Sequence, residues 1–155
     1  MALMRGQGAT EYLVLLAVVL IVALVAVTLL GFFPGMASDA RITQSQAYWR
    51  GQARPFAILE SSISGTTGVG TFVIQNMEAN GPYNITTIAL SNSTVNAPSS
   101  TAFGAGETKI VNVTGLPPGT AGGLYDLQVN ITYNTPTGIV GTKQYGTKNL
   151  IGKYV

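Results

Sequence analysis

The sequence contains no cysteine and no histidine. Disulfides, thiolate nucleophiles, Cys/His zinc sites and imidazole bases are all excluded by those two absences. Charge is scarce too: eight Lys/Arg and six Asp/Glu in 155 residues leave a net of +2. The basic residues never stand together, so the electrostatic footprint of a nucleic-acid binder is missing and no nucleic-acid partner is expected. The acids Glu60, Glu78, Glu107 and Asp126 are spread over separate stretches, with no close pair suited to general acid/base work. Ser and Thr are plentiful, but a serine nucleophile needs a base that the chain does not supply. The Gly-rich segment Gly65–Gly70, GTTGVG, lacks the Gly-Lys-Ser/Thr ending of a phosphate loop and reads as a turn. The sequence therefore predicts no catalytic residue, no metal site and no cofactor.

What the chain does have is an apolar run from Leu13 to Leu30, interrupted only by Thr28. As a helix it spans roughly 27 Å, close to the hydrocarbon thickness of a bilayer. It is apolar on every side rather than along one stripe, so its solvent is lipid or other copies of itself. A cleaved secretory signal is the plainer alternative, with Gly35-Met36-Ala37 as its cleavage site. Against it, the run is longer than a signal's apolar core, and an acid, Glu11, stands at its start. A charge bordering a membrane span is costly and usually functional.

The hydrophobic span is set at residues 12–33, within an N-terminal helix over 7–55. Pro34-Gly35 predicts a kink, because proline removes a backbone donor and crowds the preceding turn. The helix is expected to resume beyond it, with Ser38 as cap. Ile42, Trp49 and Phe56 recur every seven residues, with Ala53 nearby, while Arg41, Tyr48 and Gln52 point elsewhere. That stripe either seats the helix on the following domain or packs subunits together. Arg54-Pro55 ends the helix, since the residue before proline avoids the α region.

From Phe56 onward the period changes to two. In Leu124–Tyr133, LYDLQVNITY, the residues Tyr125, Leu127, Val129, Ile131 and Tyr133 share one face, and Asp126, Gln128, Asn130 and Thr132 the other. Further strands are read at 56–63, 71–77, 84–90, 107–113, 138–145 and 148–155, separated by turns such as Asn80-Gly81-Pro82 and Pro117-Pro118-Gly119. About seven strands over a hundred residues predict an antiparallel, Ig-like β-sandwich head over 56–155. The fold class is α+β. All nine asparagines fall between Asn76 and Asn149, and four head N-x-S/T sequons, at Asn84, Asn92, Asn112 and Asn130. By alternation, Asn112 and Asn130 fall on solvent faces, where a glycan could be carried. A surface rich in Thr, Asn and Gly and poor in charge points to an exterior location.

One motif is more specific than composition. Arg5-Gly6, then Gln7-Gly8-Ala9-Thr10-Glu11-Tyr12, then the apolar run resembles the class III signal peptide of archaeal type IV pilins. That pattern is a basic and a small residue followed by Gln-x-Ser-x-Glu-Tyr, and Ala9 stands here where Ser is common. The resemblance covers residues 5 to about 33, and extends more loosely over 44–58. It implies that residues 1–6 are a leader, cut by a prepilin peptidase between Gly6 and Gln7. It further implies insertion of the precursor in the cell membrane, followed by extraction of the helix into a filament core by an assembly machinery. The heads would then lie outside, meeting surfaces or other cells. A helix from Gly8 to Arg54 would be roughly 70 Å long and overlap several subunits. Glu11 would pair with the new α-amino group of a neighbour's Gln7, an arrangement that fixes register more than it stabilises. Gln7, Glu11 and Tyr12 are thus the expected assembly residues. The reading from another class is a monomeric membrane-anchored surface protein whose β domain binds a glycan or an envelope component. An archaellum filament protein is a close cousin of the first reading.

Overall fold

The computed structural model describes residues 5–91 and 93–155, with backbone alone for 5–7, 32–34 and 93–101. Among the described residues, a single helix, α1 (Arg5–Gly51), precedes nine strands: β1 (Phe56–Ile63), β2 (Gly70–Asn76), β3 (Tyr83–Leu90), β4 (Ser93–Phe103), β5 (Thr108–Val113), β6 (Leu124–Leu127), β7 (Val129–Asn134), β8 (Thr142–Tyr145) and β9 (Leu150–Lys153). The fold is α+β: one long, apolar N-terminal helix followed by antiparallel sheets. The chain divides into two compact units, Met1–Ala40 and Arg41–Val155. The division falls inside α1, so the last turns of the helix belong with the sheets.

In the first unit α1 is helical through Pro34 and Gly35. It does not stop and restart, and Ser38 lies within it rather than at a cap. Proline's missing donor removes one rung of the helical ladder, whereas the apolar residues on both sides still favour helix.

In the second unit the strands form three sheets, in the orders β1-β2-β5, β4-β3-β7-β8 and β6-β9. Alternation is clearest in β2 and β7, each buried at every second residue. The buried faces meet in one core. Its aromatic centre is Phe56, whose ring lies edge-on to Phe103 at 5.3 Å, Tyr133 at 5.4 Å and Tyr83 at 6.2 Å. Such edge-to-face pairs add on the order of 1 kcal/mol each beyond area burial.

Four expectations are corrected. Leu124–Tyr133 is two strands in different sheets, not one. The break is at Gln128, whose N–H donates to Ser91 Oγ at 3.2 Å and whose C=O accepts from Ser91 N at 2.7 Å. The side chains keep their alternation across the switch, and Tyr125, Leu127, Val129, Ile131 and Tyr133 are all buried. Periodicity alone therefore could not reveal it. β4 is the strand the pattern did not offer, because it carries Pro98, Asn96 and three Ser. It is an edge strand, and its residues 97–100 have no register partner on β3, which is where a residue without N–H is tolerated. The strand expected at 138–145 begins only at Thr142, since 138–141 form a turn. Tyr48 is buried, not turned away from the stripe.

Candidate assembly surface

Among the described residues, the first unit exposes a continuous apolar surface. From Tyr12 to Leu30 the large side chains of α1 are exposed on all faces, Tyr12 at 65%, Leu20 at 60% and Leu30 at 71%. The helix is long and apolar enough to cross a membrane. Its internal hydroxyl is compatible with an apolar medium, because Thr28 Oγ1 donates to the Val25 carbonyl at 2.8 Å. A soluble chain rarely exposes contiguous apolar patches beyond a few hundred Å², so this surface marks an interaction with lipid or protein.

Glu11 and Tyr12 are both exposed on this helix, one turn beyond the backbone of Gly6 and Gln7. The leader residues Met1–Met4 lie outside the described residues. Pro34 and Gly35 are helical in backbone.

In the second unit the end of α1 is locked to the sheets. Trp49 and Ala53 of the expected stripe are 1% and 2% exposed, joined by Tyr48 and Ser45, while Ile42 is half-buried. Phe56 continues the seven-residue spacing but sits in β1, not in the helix. The indole of Trp49 needs a partner without a side chain: a Cβ on Gly146 would lie 2.5 Å from its ring. Ser45 acts as a strand's neighbour would. Its Oγ donates to the Asn149 carbonyl at 2.8 Å and accepts from Ile151 N–H at 2.9 Å, satisfying the outer edge of β9. Tyr48 Oη accepts from Thr147 N–H at 3.2 Å, and Arg50 Nε donates to the Leu59 carbonyl at 2.6 Å.

Above this joint a polar cleft of about 320 Å³ opens between α1 and the β6–β9 sheet, lined chiefly by Arg41, Gln44, Asp126, Thr147, Lys148 and Asn149. Asp126 is held from two sides: Oδ2 accepts from Arg41, and Oδ1 accepts from Asn149 Nδ2 at 2.7 Å. Sequence reasoning singled out none of this, because Arg41 and Asp126 are 85 positions apart and carry no local motif. Only Ser45's place one turn before the buried Tyr48-Trp49 pair could have hinted at a contact face.

The sequons differ in access. Asn84 on β3 and Asn112 on β5 are exposed, and Asn112 Oδ1 accepts from Thr71 Oγ1 at 3.0 Å. Asn130 is half-buried, because β7 lies between β3 and β8, and its Oδ1 is shut from water without a partner. Asn92 lies outside the described residues. No group of three or more acidic side chains that could hold a metal ion occurs among the described residues. Comparison with protein-family models, curated proteins and solved structures finds no significant match.

Proposed function

We propose that this chain is the structural subunit of an extracellular archaeal type IV pilus, polymerising through α1 and carrying its sheets outward as an Ig-like β-sandwich head. One observation carries the reading: a helix exposed and apolar on every face from Tyr12 to Leu30 is joined to a domain that has its own closed core. Lipid and a bundle of identical helices solvate such a helix about equally well, so transfer from membrane to filament loses little hydrophobic energy. The motif Arg5-Gly6-Gln7 to Tyr12 supplies the step between them, removal of residues 1–6 by a prepilin peptidase. The partners are copies of the chain, the peptidase and assembly machinery, and the membrane before assembly. The head meets surfaces or other cells.

The test is to shear filaments from cells that express the chain and to measure its intact mass and N-terminus. The expected protein begins at Gln7. Recovery from membranes alone, with Met1 intact, would instead leave a membrane-anchored monomer.

A further inference from the structure

The charges of this chain are few, and the structure matches most of those on the head within one molecule. Glu78 pairs with Arg54 at 3.5 Å, Glu107 with Lys109 at 3.3 Å, and Asp126 with Arg41 and Asn149. Arg50 is spent on the Leu59 carbonyl. Among the described head residues, one side-chain carboxylate is left over, Glu60, exposed on β1. The ammonium groups of Lys143 and Lys148 are left over too, and they are not equivalent. Lys148 lines the polar cleft beside Arg41, where Asp126 has both oxygens engaged, so the cleft keeps one uncompensated positive charge. Gln44 and Thr147 add uncharged hydrogen-bonding groups around it. Lys143 stands on the exposed edge strand β8, away from that cleft.

We infer that the cleft is a docking site for a second copy of the chain, with the Glu60 carboxylate of one copy seated against Lys148 of the next. This rests on the pilus reading, and the complementarity of the leftover charges selects the occupant. Single exposed ion pairs are weak, but a filament repeats the contact in every subunit, and a misplaced like charge is repelled at each repeat. The contact would set the azimuth of neighbouring heads, a task the featureless apolar helix cannot perform.

The experiment uses the full chain in cells, reading the ratio of subunit in the sheared-filament fraction to subunit in membranes. Lys148→Glu and Glu60→Lys should each lower that ratio by about threefold or more, and the two together should restore it. Lys143→Glu should do nothing alone and should not rescue Glu60→Lys. Neutral Lys148→Gln and Glu60→Gln give a second cycle, in which the double variant should be no worse than either single one. Wild-type-like filaments from both reversed single variants would overturn the docking and leave the pilus reading standing. Rescue of Glu60→Lys by Lys143→Glu would overturn the assignment of the cleft. Absence of filaments from the unaltered chain would overturn both readings.

Discussion

Gln144 shows how much a single side chain can hold here. It is 6% exposed on β8, and its amide bridges to the first residue of β1: Oε1 accepts from Phe56 N–H at 3.0 Å, and Nε2 donates to the Phe56 carbonyl at 2.8 Å. A buried glutamine thus joins two sheets as an extra strand would. Gln144→Leu would leave two buried backbone groups without partners, and unfolding by denaturant should show a loss of about 2–4 kcal/mol. Gly146→Ala should lose about 1–3 kcal/mol in the same assay, because its methyl group meets the Trp49 ring. Burial, chiefly, raises the pKa of Tyr125 and of Tyr133 above the ordinary phenol value. A folded pKa above the unfolded one means stability that is complete below about pH 10 and lost as pH rises through the folded value. The head should therefore weaken on alkaline titration, with part of the tyrosinate absorbance appearing only above the ordinary range. A titration with all seven tyrosines ionising at the ordinary value would contradict that. The burial of Tyr125 and Tyr133 was legible in the alternation of their strand, but the roles of Gln144 and Gly146 were not. Gln144 and Gly146 read as ordinary strand and turn residues until the partners 88 and 97 positions away were in place.

At the scale of elements, far more could be read. The apolar run, the change of period at Phe56 and most strand positions follow from local pattern, because strands such as β2 and β7 bury every second residue. Pattern failed where one side chain period served two sheets, as at Gln128, or where an edge strand escaped the rules of a central one, as with Pro98 in β4. The end of α1 was also only half legible. Its stripe named Trp49 and Ala53, but Ser45 and Tyr48 complete the joint. A chain beginning at Arg41 should fold, giving a cooperative melt and near-ultraviolet aromatic signal, whereas one beginning at Gln52 should give neither. The second lacks Trp49, whose deletion alone is worth about 3–5 kcal/mol, a large share of a domain's total stability.

For the whole molecule, the division into a naked helix and a self-sufficient head is the feature from which assembly follows. Glu11→Ala tests the role given to the helix's own charge. If Glu11 sets axial register against the α-amino group of a neighbour's Gln7, the variant should be cleaved normally but yield several-fold fewer filaments. Cleavage and assembly at the normal level would remove that role. Because Asn130 is half-buried and Asn84 and Asn112 are exposed, mass spectrometry of peptides from native protein should find any attached glycan at the latter two in preference.

The joint at Ser45 has a mechanical side. Tension carried along α1 would enter the head through bonds on two sides of the helix: Ser45 to the edge of β9 and Tyr48 to the loop before it on one, and Arg50 to β1 on the other. Bonds side by side share a pull and fail together, whereas bonds in line fail one after another. The buried indole of Trp49 backs them with a contact that cannot slide without opening the core. Under load the last turns of α1, from Arg41 to Gly51, would therefore move with the sheets as one piece.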